Sequence, residues 1–242
     1  MNKYCIGNWK QNIGPGETIE YCNTMKQVLH KEPLLGSVQC IIASSFVSLP
    51  YTGELPQNIE RAAQNCSSFS KGSYTGEISA SWLPEVGCKY CIVGHSERRQ
   101  HMKETSEEIV AKFTQLRQNN IHPIVCVGEH DMSISDEERL SIITTQLSLF
   151  PTNESFLIAY EPVWAIGTGV IPSLEWIQTV SKTISSHFPV CTVLYGGSVN
   201  KTNAASIFSI PTIQGFLVGG ASLDVNEFLA IARTMEASMN EG

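Results

Sequence analysis

Charge is scarce in this sequence, and basic charge scarcer still. Of 242 residues only 16% are charged, and 16 Lys and Arg stand against 23 Asp and Glu, a formal net charge of −7. Basic residues so few and so scattered argue against a partner gripped through its phosphate backbone, so no nucleic acid is expected. Long apolar runs are missing too. None approaches the roughly 18 residues that span a bilayer, and no membrane partner is expected. Residues 1–10 hold neither a long apolar stretch nor a small-residue cleavage site, so no secretory leader is expected. HExxH, EF-hand and Cys/His zinc spacings are absent, which leaves no metal implied. A dinucleotide fingerprint is absent as well: Gly167-Thr168-Gly169 comes nearest, but its third glycine position is Pro172. No cofactor is therefore expected.

Eight cysteines are too few for a disulfide scaffold in a chain this long. Cys5, Cys40, Cys91, Cys126 and Cys191 sit inside apolar runs and read as small buried hydrophobes. Cys88-Lys89-Tyr90-Cys91 has redox spacing but leads into an apolar run rather than a helix, so chance spacing at a strand start is the better reading. Asn65, Asn153 and Asn200 head glycosylation patterns that carry no meaning without secretion. The expected compartment is the cytoplasm.

What is present is a repeat. Short apolar runs at residues 4–6, 38–43, 59–63, 90–93, 124–127, 156–160, 190–194 and 216–218 alternate with longer amphipathic stretches. Eight runs make about 30 residues per unit, the size of a βα repeat. Between them lie helix signals. Thr105 with Glu108, and Ser135 with Glu138, are capping boxes. They precede the stripes Ile109, Phe113, Leu116 and Leu140, Ile143, Leu147; Ile177, Val180 and Ile184 form a third. The strand runs are continuously apolar, as parallel strands covered by helices should be. No linker divides the chain. The pattern favours one (β/α)8 barrel domain over residues 1–242, eight parallel strands each followed by a helix, with a doubly wound open sheet as the alternative.

In such a barrel, chemistry belongs at the C-terminal strand ends. Asn8 and Lys10 follow strand 1, His95 and Glu97 strand 4, and Glu161 strand 6. Taken singly, Lys10 also fits a solvated strand-end charge and His95 a satisfied loop histidine. Glu161, between an apolar run and Pro162, is harder to set aside: a carboxylate against apolar surface has a raised pKa and can act as a base. Gly196-Gly197-Ser198 and Gly219-Gly220 follow strands 7 and 8, where backbone N–H groups can approach an anion. The residues point to acid–base chemistry on a small phosphorylated compound.

The motifs in their order then become specific. Gly7-Asn8-Trp9-Lys10, Ala63-Gln64-Asn65-Cys66, Tyr74-Thr75-Gly76-Glu77, Ile92-Val93-Gly94-His95-Ser96-Glu97-Arg98-Arg99, Cys126-Val127-Gly128-Glu129, residues 159–169, Tyr195-Gly196-Gly197-Ser198 and Val218-Gly219-Gly220 together resemble the triosephosphate isomerase family across the whole chain. The resemblance implies a TIM barrel that interconverts dihydroxyacetone phosphate and D-glyceraldehyde 3-phosphate through an enediol(ate), within glycolysis and gluconeogenesis. It implies Glu161 as the proton shuttle, neutral His95 as electrophile and Lys10 as positive charge beside the enediolate and phosphate. Asn8 would fix substrate oxygens, and Glu97 would hold the polar network. Backbone N–H groups of Gly167, Ser198, Gly219 and Gly220 would bind phosphate. Residues 162 to about 172 would form a mobile lid, and the Thr75 loop would enter a second subunit of a homodimer.

Three places depart from the family pattern. Pro172 stands at the lid's end, where the family often has alanine. That residue's N–H can meet the tyrosine equivalent to Tyr195, and proline has no N–H. Closure is therefore expected to lean on contacts such as Ser198 with the Gly169 backbone. Gln214 replaces a frequent Asp at the barrel floor, where a stability effect is expected. The segment 129–138 lacks the family's Arg-Glu-rich run and is given no role. Cys126, near the site, is expected to pack. Two other readings stay open: an enzyme for another sugar phosphate, and a catalytically silent phosphate-binding barrel acting as sensor or scaffold.

Overall fold

The computed structural model describes residues 2–240. Eight parallel strands close into a barrel in chain order: β1 (Lys3–Asn8), β2 (Val38–Ser44), β3 (Ile59–Ala63), β4 (Cys88–Val93), β5 (His122–Val127), β6 (Leu157–Tyr160), β7 (Thr192–Tyr195) and β8 (Gly215–Val218). The seam is β1 on β8, with Tyr4 opposite Gly215 and Gly7 opposite Val218. The open sheet is excluded.

Both faces of each strand are buried, which is why the runs are apolar without alternating. Ile6, Ile41, Ile92, Ile124, Leu157, Leu194 and Leu217 point inward and fill the barrel. Their neighbours Cys5, Ile42, Val93, Val125, Ile158, Val193 and Phe216 point outward beneath the helices. Each fully buried Ile or Leu contributes roughly 1.5–3 kcal/mol relative to exposure.

The outer layer comprises α1 (Pro15–Lys31), α2 (Ser96–His101), α3 (Ser106–Gln118), α4 (Asp136–Leu147), α5 (Leu174–His187), α6 (Ala204–Phe208) and α7 (Val225–Asn240). Both expected capping boxes form. Thr105 accepts the Glu108 N–H while the Glu108 carboxylate accepts the Thr105 N–H, and Ser135 and Glu138 repeat the exchange. The three apolar stripes face the strands, Leu140 being only partly buried.

The repeat is less regular than its pattern. After β2 and β3 come short 3₁₀ turns, Leu49–Glu54 and Ala80–Trp82, in place of α-helices. Pro50, Gly53 and Pro56 interrupt the first, and the Ser- and Gly-rich stretch 67–76 the second. β7 starts at Thr192, because Pro189 and the exposed Val190 belong to the preceding turn.

All eight cysteines are free and buried, and Cys88 and Cys91 both lie on β4. Burial pushes the Cys88 thiol up to about 12 and that of Cys191 to about 11, far from a reactive thiolate. No helix among the described residues is long and apolar enough to cross a membrane.

Candidate active site

Parallel strands bring their C-terminal ends to one mouth, so residues distant in sequence meet there. Asn8, Lys10, His95, Glu161, Gly167, Ser198, Gly219 and Gly220 line a single cavity of about 260 Å³. Glu97 stands behind Lys10, on the wall of an adjoining groove.

Lys10 is built in place. Its φ of +51° is left-handed, a conformation costing a non-glycine residue roughly 1–2 kcal/mol. Three bonds hold it there. Its N–H donates to Asn8 Oδ1 at 3.1 Å, its carbonyl accepts from Gln64 Nε2 at 2.9 Å, and its ammonium meets Glu97 Oε1 at 2.6 Å. Gln64 also donates to the Ala43 carbonyl, tying β1, β2 and β3 together beneath the lysine. Sequence reasoning names no role for it. An amide just past a strand end was the available signal.

His95 caps α2. Its Nδ1 accepts the Glu97 N–H at 3.3 Å, which leaves the ring proton on Nε2, 2.9 Å from Glu161 Oε1. Glu161 is 2% exposed and takes the Ser96 N–H on its other oxygen at 3.1 Å. Gly128 allows this seat, since a Cβ there would lie 1.7 Å from the Glu161 carbonyl oxygen.

Burial alone would raise the Glu161 pKa, as its sequence setting suggested. The adjacent His95, the Ser96 N–H and Lys10 outweigh it, and the carboxyl sits below its ordinary value. That corrects the expectation of a raised value for the chain at rest. For His95, burial lowers the pKa, but the Glu161 carboxylate raises it further and prevails.

The lid begins as a 3₁₀ turn, Val163–Ala165. In the chain at rest Ser198 Oγ donates to the Ala165 carbonyl at 2.9 Å, and the contact with the Gly169 backbone is an expectation for the closed lid. The turn brings that carbonyl to Ser198, and Thr168 Oγ1 donates to it as well. Tyr195 packs its hydroxyl, buried and without a hydrogen-bond partner, against Gly197, where a Cβ would be 2.2 Å away.

Glu129 is the clearest correction. The stretch assigned no role holds a fully buried carboxylate that roots the lid. One oxygen accepts from Arg139 at 3.0 Å, the Tyr160 hydroxyl at 3.0 Å and Trp164 Nε1 at 3.1 Å. Trp176 Nε1 donates to Tyr160, and the Arg139 guanidinium lies 3.8 Å from the Trp176 ring centre. Two buried aromatics, Tyr160 and Trp176, and the half-buried Trp164 carry polar tips that require partners, and that requirement was the signal.

The model of the triosephosphate isomerase family matches residues 3–235. The chain belongs to the triosephosphate isomerase family. Among its relatives, the triosephosphate isomerase of Francisella philomiragia subsp. philomiragia is 38% identical, covering 94% of this chain and 95% of its own. That of Mesomycoplasma hyopneumoniae is 39% identical over 94% and 97%. Membership extends over the barrel seam and every strand end of the mouth, so the triosephosphate isomerase family match covers the cavity as well as the scaffold.

Proposed function

We propose that this chain is a triosephosphate isomerase, moving a proton between adjacent carbons of dihydroxyacetone phosphate and D-glyceraldehyde 3-phosphate, as an enzyme of glycolysis and gluconeogenesis. The observation that carries this reading is the convergence of a buried carboxylate, an Nε2–H imidazole and an ammonium on one small cavity rimmed by glycines.

The Glu161 carboxylate takes the proton from the carbon beside the carbonyl, and His95 Nε2–H donates to the carbonyl oxygen. Charge develops on that oxygen as an enediolate, which Lys10 stabilises. Glu161, now protonated, returns the proton to the neighbouring carbon, while the hydroxyl proton passes by way of His95 to the former carbonyl oxygen, so the atoms balance and no net electron is gained or lost. Asn8 orients the substrate oxygens and Glu97 steadies Lys10. The phosphate sits against the backbone N–H groups of Gly167, Ser198, Gly219 and Gly220. To act, Glu161 must leave His95 and Ser96. Once it does, the stronger of the two carboxylates that raise the imidazole pKa is gone and only Glu97 remains, and burial together with the N-terminus of α2 keeps His95 neutral.

A homodimer completes the proposal. The Thr75 loop carries Phe69 and Tyr74 stacked at 3.9 Å, both exposed. Beside the cavity runs a groove of about 480 Å³ lined by Lys10, Phe46, Glu97, Arg98 and Met102, shaped to take that loop from a second copy. Eight free thiols suit a reducing cytoplasm.

A coupled assay in both directions tests the reading. Glu161→Gln should lower kcat by about 10²–10⁴-fold, the usual worth of a positioned base, while inorganic phosphate still binds. Normal turnover in the variant overturns the mechanism. Phosphate binding without turnover in the parent would mean a silent phosphate-binding barrel.

A further inference from the structure

A second cavity, of about 180 Å³, lies outside the barrel between α4 and α5, away from the mouth. Its walls are apolar: Leu147, Phe150, Ile184 and Phe188, all buried. Phe150 and Phe188 both pack on Phe156, at ring-centre distances of 5.9 and 6.0 Å, which fixes their orientation. The last turns of both helices end here, with Ser148 and Phe188 as their C-caps.

Four of the five polar side chains on the rim, all but Thr152, share one polarity. Thr144 Oγ1 donates to the Leu140 carbonyl, Ser148 Oγ to Thr145 and Thr183 Oγ1 to Thr179. His187 Nδ1 lies 2.9 Å from the Thr183 carbonyl and must be its donor, leaving a lone pair on Nε2 of the neutral ring. The hydrogens of these four side chains are thus committed to their own helices. What they offer a ligand is acceptors. Two helix C-termini add the negative end of their dipoles, roughly half a charge each. Neither Lys nor Arg lines the cavity.

We propose that this cavity binds a small aromatic cation, its ring between Phe150 and Phe188 and its ammonium at the acceptor rim. Aromatic faces attract cations, and the convergent helix ends favour the same sign of charge. A carboxylate would meet acceptors and lone pairs at all of these side chains, and a hydroxyl hydrogen only at the exposed Thr152.

The test is a titration of the intact protein with 2-phenylethylamine, 3-phenylpropionate and ethylbenzene, by calorimetry and amide chemical shifts. The amine should bind saturably, with the largest shifts at Phe150 and Phe188. The other two should bind at least about tenfold more weakly, the size of a desolvated cation–π contact. Ser148→Lys, at an exposed position, should abolish amine binding and leave isomerase turnover and Tm unchanged. Equal binding of the three compounds overturns the proposal. So do no saturable binding, shifts centred on the catalytic mouth, or undiminished amine binding in Ser148→Lys.

Discussion

Glu161 rests on groups it must later release, and its protonation follows from them. Its carboxyl is held low by His95, Ser96 and Lys10 against the opposing effect of burial. The carboxylate proposed as the base is therefore ionised in the chain at rest. Tyr195 presents the opposite case, a buried hydroxyl with nothing to bond. Pro172 has no N–H to offer it, and Ser198 already holds the lid root through Ala165. Tyr195→Phe should therefore leave kcat nearly unchanged, with stability unchanged or raised by up to about 1 kcal/mol. Steady-state kinetics and urea unfolding measure both, and a large fall in kcat would show that the closing lid does recruit this hydroxyl.

Glu129, just past β5, anchors the turn after β6 through Trp164 and ties it to Arg139 on α4 and Tyr160 on β6, with Trp176 on α5 bonded behind. Removing one partner of a buried, bonded charge pair costs about 3–5 kcal/mol. Glu129→Gln leaves the buried Arg139 guanidinium with Asp136 alone, itself largely exposed, and offers Tyr160 and Trp164 a neutral, weaker acceptor. It should destabilise the chain by roughly 3 kcal/mol, expose residues 162–172 to protease and change the Trp164 fluorescence. An unaltered digestion pattern with wild-type stability would remove Glu129 from the lid. The capping boxes of α3 and α4 were legible because donor, acceptor and apolar stripe lie within a few residues. The missing helices after β2 and β3 were less legible, since strand spacing says nothing about what fills a connection.

An acidic protein that takes an anionic substrate needs a local exception to its own charge. In the proposed mechanism Lys10, strained into place, and the glycine N–H groups supply it inside a surface of net charge −7. The proposed dimer would tie this exception to assembly, because the wall of the groove beside Lys10 includes Lys10 and Glu97. Gel filtration across dilution should show a dimer at twice the chain mass. Thr75→Arg should shift it to monomer with loss of most activity. A stable monomer with full activity overturns the second-copy reading of the Thr75 loop.

Eight apolar runs of similar spacing, the capping boxes and the polar residues after each run favoured a barrel and pointed to the strand ends as the place for chemistry. Those signals are local: strand, cap and turn are each written in contiguous residues, whereas a doubly wound sheet buries its strands equally well, and only the pairing of β1 with β8 decided for closure. Folding alone decided which groups touch. Gln64 reaches Lys10 across 54 positions and Trp164 reaches Glu129 across 35. The His95 tautomer and the downward shift at Glu161 likewise come from neighbours brought over by other strands. Hydrogen-bond partners and field strengths depend on distances of a few ångströms, which no spacing along the chain encodes.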